Sequence, residues 1–456
     1  MTALTLAPLV CAGCVERDVS MVTSERIPLV PVFLDVEVNR KLDLLFVIDD
    51  SGSMKNEQEA LSRNFGLLMD QLTTVEHGIP DIHLGVISTD LGLGEFADQN
   101  GNCSADGHGG RLLATPREGS CVAPDGRFLT ARTLPDGSLE QNFSGDISDA
   151  FACIAELGDQ GCGYEQPLEA MRRALDGSVA ENAGFLRPDA RLAVVFVTDE
   201  DDCSVMDPAI FNELLVGEFG PPTDFRCFLH GVVCEGDQPA ALGAQRGCVA
   251  RQDSPYVGDV GEYVEFLRGL KRYPERDILV AGIIGDAADP VAIIEDEQGF
   301  PKVAQSCFAS DEDREGAYPP IRLGAFFDAF TQRQTVSICE TELARALSDI
   351  GAFIGPPPEG VCIADTLADR DGAKPGLQAD CAVEEVSTVD GERRREVVSV
   401  CDDPSAPLES SELPCYTIRA DPSRCEPDRP LVVEAHYGPD AVLPPGSEVW
   451  VHCRGR

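Results

Sequence analysis

LDLLFVIDDSGSM, residues 42–54, decides how the rest of the chain is read. Residues 44–48 (Leu44, Leu45, Phe46, Val47, Ile48) form an apolar run too short for a core helix and rich in β-formers, which predicts a strand buried on both faces. The run stops at Asp49, and Ser51, Gly52 and Ser53 follow as a tight polar turn. Beyond it Ala60, Leu61, Phe65, Leu68, Met69 and Leu72 recur at three- and four-residue steps, the spacing of one helix face. Strand, turn and helix in that order bring Asp49, Ser51 and Ser53 to one point above a sheet edge. One carboxylate and two hydroxyls there suit a hard cation that takes oxygen ligands. The blander explanation is helix capping, for which Ser and Asp are favoured anyway. A serine-protease nucleophile in the chymotrypsin order needs a His before the Ser, and the first His here is His77.

Asp-x-Ser-x-Ser after a buried first strand resembles the metal-ion-dependent adhesion site of von Willebrand factor type A (VWA) domains, shared with integrin I-like domains. A second match stands further on: residues 191–198, RLAVVFVT, read as a buried strand that ends in Asp199. In that family the strand after the third helix ends in a Thr-Asp pair whose Asp joins the metal site, and Thr198-Asp199 occupies that place. The resemblance implies an α/β, Rossmann-like doubly wound fold with a mostly parallel sheet. It also implies a divalent cation, Mg²⁺ or else Mn²⁺ or Ca²⁺, on Asp49, Ser51, Ser53 and Asp199. Most VWA domains add a Thr from the loop before the third helix, but residues 161–166 contain no Ser or Thr. Counting back from Ala170 and Met171, which match the small-large pair opening that helix, the position falls on Glu165; integrin β subunits resemble this in having a Glu there. A Glu near a helix start is also favoured by the helix dipole alone.

The whole chain has 456 residues, enough for one large domain and a smaller one. A net charge of -43 argues against nucleic acid and anionic membrane surfaces as partners. Its 18 Cys are too many for a reduced cytosolic protein. Cys11 and Cys14 make the only CxxC spacing and the six His are scattered, so zinc and iron-sulfur frameworks lose support to disulfides. The short apolar run before Cys14 resembles the end of a bacterial lipoprotein signal, which would make Cys14 the lipidated first residue of an outer-membrane lipoprotein, with Val15 following. Residues 1–14 are then signal remnant and lipidation Cys, and 15–40 a tether with an extended lead-in at 32–38.

The expected α/β domain runs over 41–355, with strands at 82–89, 191–198, 277–284 and 335–339 and helices at 147–157, 167–175, 263–270, 322–330 and 342–354. Three long insertions, 90–142, 203–258 and 285–320, each follow a parallel strand, so they are expected to form a disulfide-tied collar on the metal side. Residues 356–360 are a Pro-rich linker, and 361–456 are expected to be a small all-β disulfide-rich module. Ten Cys in the α/β region, residues 41–355, and six after the linker predict pairing within each part. Loop-closure cost favours local pairs such as Cys103 with Cys121, Cys153 with Cys162 and Cys227 with Cys234. Asp98, Asn100 and Asn102, and the DRDG at 369–372, read as turns rather than calcium loops. His436, Trp450 and His452 read as strand packing.

The function this implies is binding, not catalysis: an envelope protein that engages a carboxylate of a protein ligand through the cation, touching the membrane only through a lipid anchor. The alternative is a structural or assembly component of the envelope whose metal site is vestigial or serves stability. A metal-dependent hydrolase would need a further general base, and the available carboxylates are already assigned as ligands.

Overall fold

The computed structural model describes residues 34–36, 41–73, 81–99, 103–115, 122–134, 138–236, 241–272, 274–308, 316–340, 343–355, 361–363, 367, 381–389, 392–401, 414–420, 431–436 and 448–453. The opening apolar run is β1 (Lys41–Ile48), and its alternation feeds two cores. Leu44, Phe46 and Ile48 enter one face, and Leu45 and Val47 the other. The elements that follow are α1 (Lys55–Thr73), β2 (Asp81–Ser88), β3 (Leu129–Thr133), β4 (Leu139–Gln141), α2 (Ile147–Ala155), α3 (Pro167–Leu175) and β5 (Arg191–Val197). Then come α4 (Val260–Gly269), β6 (Ile278–Ile284), α5 (Ile321–Asp328), β7 (Arg333–Ser337) and α6 (Leu343–Ile354). The sheet order is β7-β6-β5-β1-β2-β3-β4, parallel from β7 to β2 and antiparallel at the β3–β4 edge.

Helices cover both faces, as a sheet of buried parallel strands requires. On one side α1, α2 and α6 contribute Phe65, Phe151 and Leu347, and Phe46 reaches the first two with ring centroids 5.9 and 4.8 Å away. On the other α3, α4 and α5 contribute Met171, Leu267 and Phe326. Gly351 lets α6 lie close on α1: a Cβ there would stand 2.7 Å from the Leu68 carbonyl oxygen. The last carbonyls of α6 have no partner within the helix, and the buried Arg191 at the start of β5 supplies one. Its Nη1 donates to Ile354 O at 3.1 Å and Gly355 O at 2.9 Å.

At the amino ends of the strands a buried ion network ties β1 to the loop before β5. Asp43 accepts from Arg187 N at 2.7 Å and Arg187 Nε at 2.8 Å, and Lys271 Nζ stands 3.7 Å from it. Burial raises the pKa of Asp43, and the bonds and charge from Arg187 oppose that rise.

The insertions depart from a simple collar. The first returns to the sheet as β3 and β4, so part of it extends the edge. The second and third join in a small sheet of their own, in which Val291–Glu295 pairs with both Gly243–Gln245 and Pro301–Val303. Disulfides Cys103–Cys162, Cys203–Cys227, Cys234–Cys248 and Cys307–Cys339 brace these loops. The local pairs expected from loop length are therefore wrong. Cys103 and Cys162 sit in two loops that the sheet delivers to the same end, 4.4 Å apart at Cα, and that proximity outweighs the longer closure. Cys153 is disulfide-bonded as well.

The described residues of the C-terminal region are all β, with Cys381–Cys453 and Cys401–Cys415 among them, and none of the six described bridges crosses residues 356–360. Its sheet includes a hairpin of Cys381–Val389 and Glu392–Val400 beyond the expected strands. Its outer strand is Leu34–Val36, the lead-in segment, which pairs with Val449–Val451 rather than with the parallel sheet. His436 Nε2 lies 2.9 Å from Thr417 Oγ1, a strand contact. Cys14, Asn100, Asn102 and residues 369–372 lie outside the described residues.

Two outcomes follow from these contacts. Asp43→Ala leaves Arg187 and Lys271 without their buried carboxylate and should lower unfolding free energy by about 3–5 kcal/mol in urea titrations. Peptide mapping of the unreduced protein should yield Cys103 linked to Cys162; a Cys103–Cys121 peptide would contradict the observed pairing.

Candidate metal centre

The strand order reverses between β5 and β1, and a parallel sheet opens a crevice at the carboxyl ends of the strands on either side of such a switch. Register pairs Ile48 with Val197, so the next residues, Asp49 and Thr198, stand side by side. Asp49 N donates to Val197 O at 2.9 Å, and Thr198 Oγ1 donates to Asp49 Oδ2 at 2.7 Å. The other oxygen, Oδ1, accepts from Ser51 N at 2.8 Å, which folds the turn back over the carboxylate. Ser51 Oγ and Ser53 Oγ are 3.3 Å apart. Ser53 also hydrogen-bonds the side chain of Asp199. Gln58, on α1, donates to Asp49 O at 2.7 Å and exchanges bonds with the backbone of Gly158, locking turn, helix and neighbouring loop together.

Glu165 arrives on that neighbouring loop. Gly161 N donates to Asp50 O at 2.7 Å, and a Cβ at 161 would lie 2.4 Å from Asp50 Oδ1, so the close approach requires glycine. Cys162 ties the loop to Cys103, Gln166 N donates to Thr89 O at 3.1 Å, and Cys203 N donates to Glu165 O at 2.8 Å. Asp49, Ser51, Ser53 and Asp199 thus lie at the carboxyl ends of β1 and β5, and Glu165 is near enough for the charge of Asp49 to act on it; Asp49, Ser51, Glu165 and Asp199 are buried and Ser53 partly so.

The electrostatics are those of a carboxylate cluster short of positive charge. Burial pushes Asp49 up to about 6 and Asp199 up to about 7, the charge of Asp49 adding to the latter. Burial, then Glu200 and Asp49, hold Glu165 well above the usual carboxylate range. Glu165 Oε1 and Asp199 Oδ1 are buried with no hydrogen-bond partner. Orphaned acceptors of this kind are rare in folded proteins and suit a cation. As the side chains stand, no group of three or more His, Cys, Asp or Glu among the described residues is gathered tightly enough to hold a metal. Mg²⁺ does not demand one: it keeps several waters and takes one or two carboxylates, and the serine hydroxyls supply further oxygens.

Glu200 is the residue that motif reading passed over. It follows Asp199 directly, its N donates to Thr198 Oγ1 at 3.1 Å, and burial first, then the charges around it, hold its carboxyl well above the usual range. The acid run 200–202 divides by role. Asp201 accepts from the first amides of α5, Arg322 N and Leu323 N, while Asp202 pairs with the buried Arg322 guanidinium at 2.9 Å.

No family model and no curated protein matches the chain. Among solved structures it is similar to the pilus adhesin SpaC of Lactobacillus rhamnosus GG in an open conformation, at 11% identity and TM-score 0.29, over 91% of this chain and 39% of that one. It is similar to the pilus adhesin RrgA of Streptococcus pneumoniae at 12% identity and TM-score 0.30, over 93% and 58%. It is also similar to three N-terminal domains of the type V pili tip protein Mfa5 of Porphyromonas gingivalis, at 9% and 0.30, over 93% and 62%. The chain spans less than two thirds of each of them.

A carboxyl that keeps its proton longer in the fold than in the unfolded chain loses stability on ionising. Metal-free protein should therefore lose stability as pH rises from the ordinary carboxylate value of 3.8 through about 6 and 7. A cation binds the ionised forms, so the gain in melting temperature on adding Mg²⁺ should be larger at pH 8 than at pH 5. Equal gains at the two pH values would contradict the assignment.

Proposed function

We propose that the chain is a cell-envelope binding protein of VWA type that holds one divalent cation on Asp49, Ser51, Ser53, Glu165 and Asp199. The cation takes a carboxylate of a protein ligand as a further oxygen. One observation carries this reading: an Asp, two Ser and a second Asp converge at the switch point of the sheet, while Glu165 Oε1 and Asp199 Oδ1 stay buried and unpaired. A cation there satisfies both orphans and relieves the mutual repulsion of the carboxylates. The open side faces loops held by disulfides, which keeps the mouth of the site in one shape and favours binding through low reorganisation.

The bridges point to an oxidising compartment, outside the cytoplasm. Among the described residues no helix is long and apolar enough to cross a membrane. Attachment is assigned to lipid on Cys14 in the outer membrane.

The test is thermal unfolding with EDTA or with saturating Mg²⁺, joined to a metal-dependent pull-down from envelope extract. Binding at a hundred times Kd stabilises the fold by about 2.7 kcal/mol, a shift of a few degrees in a domain of this size. Asp49→Ala should abolish both the shift and the capture. Glu165→Gln should reduce the shift, and if it leaves it unchanged Glu165 is not a ligand. A shift that survives in every variant refutes the site, and a normal shift with no carboxylate-dependent capture leaves a purely stabilising metal.

A further inference from the structure

At the end of the sheet opposite the metal crevice, the antiparallel edge holds a cleft of about 410 Å³, lined among others by Asp81, His83, Thr130, Arg132, Glu140 and Arg187. The register explains why these groups meet. His83 lies opposite Thr130, and Arg132 opposite Glu140, so all four stand on one face of the strands. Alternation puts Asp81, two residues before His83, on that face as well. The other face, with Ile82, Leu84, Leu129 and Ala131, is spent on the core. No helix contributes to the described lining, so this side of β3 and β4 presents polar groups to an open space.

The cleft is polar, yet its charges are matched. Arg132 pairs with Glu140 across the hairpin. Arg187 Nη1 donates to Asp81 Oδ1 at 2.6 Å, and Arg187 Nε to Asp43 Oδ1 at 2.8 Å. The His83 ring packs against Phe128 with centroids 5.0 Å apart, and its Nδ1 lies 2.9 Å from Phe185 O. A carbonyl only accepts, so Nδ1 carries the proton and Nε2 keeps a lone pair. Burial lowers the pKa of the ring, which keeps it neutral at pH 7. Acceptors on two carboxylates and an imidazole therefore stand beside guanidinium donors, with the Thr130 hydroxyl able to serve as either. A lone ion finds no uncompensated charge here, and an apolar molecule would strand the polar groups. Each hydroxyl of a sugar both donates and accepts, which is what a mixed lining of this kind requires. The volume falls in the range of about 300–1,000 Å³ typical of small-ligand sites.

We propose that this cleft binds a neutral sugar residue of a glycan, with Arg132 and Glu140 as its outer clamp and His83 and Thr130 on its floor. The site is independent of the cation at the other end of the sheet. Acidic sugars are excluded in favour of neutral ones, because Asp81 and Glu140 line the cleft and the chain carries a net charge of -43.

Calorimetry and saturation-transfer NMR on the full-length oxidised protein test this. The probes are the methyl glycosides of glucose, galactose, mannose and N-acetylglucosamine, with glucuronic acid as the charged control. At least one neutral glycoside should bind with a Kd on the order of a millimolar, the scale for a ligand of about a dozen heavy atoms. Glucuronic acid should bind about tenfold more weakly or not at all. EDTA and Asp49→Ala should leave the affinity unchanged. The double variant Arg132→Ala, Glu140→Ala alters an exposed pair, so its melting temperature should barely move while sugar affinity falls about tenfold. Thr130→Val, nearly isosteric, should weaken binding about fivefold. Near-UV circular dichroism establishes that each variant is folded. The cleft assignment fails if none of the glycosides binds, if the folded double variant binds as the wild type does, or if glucuronic acid binds as tightly as the neutral sugars. It fails equally if EDTA removes binding, which would put the sugar at the metal crevice.

Discussion

Everything at the carboxyl end of the sheet depends on the parallel pairing of β1 with β5. That register puts Ile48 opposite Val197, and the two residues after it inherit the juxtaposition: a buried aspartate and a threonine whose hydroxyl donates to it. Shifting a strand by one residue would turn every apolar side chain of β1 to the opposite core and carry Asp49 away from Thr198 at the same stroke. The hydrophobic sorting of Leu44, Phe46 and Ile48 from Leu45 and Val47 therefore protects the polar site as well as the core. The burial that stabilises the sheet also strips water from the carboxylates, raising the affinity of each for a proton or a metal.

The α/β part was legible because its signals are local. Short β-branched runs ending in acids, and helices with three- and four-residue apolar steps, name themselves, and the observed strands and helices fall within a few residues of those read from pattern. The C-terminal sheet was only partly legible. Strand Glu392–Val400 carries Glu392, Arg393, Arg394, Arg395 and Glu396 in a row, which hides alternation behind charge. The pairing of residues 34–36 with 449–451 joins segments more than four hundred residues apart, and no local propensity encodes it. Disulfide partners were misread for a related reason: chain-length entropy ranks candidates only when the fold leaves several within reach, and here the sheet had already chosen.

The site was legible as a motif and incomplete as chemistry. Asp49, Ser51, Ser53 and Asp199 are set by strand ends and a turn, so their neighbourhood follows from the sequence order of elements. Glu200 escaped notice because a run of acids after a strand ordinarily faces solvent. Glu165 lies on a loop whose course is decided by Gly161 and Cys162, features that become informative only once Asp50 and Cys103 are seen against them.

Arg191 gives the α/β unit a mechanical property. The chain enters at β1, where Leu42 pairs with Arg191, and leaves after Ile354 and Gly355, whose carbonyls accept from that same guanidinium. Entry and exit are thus neighbours at the end of the sheet opposite the acidic crevice. Tension on the two attachment points closes through this short clamp and is not transmitted along the strands, so a load borne by the chain would leave the crevice end undeformed until the clamp yields.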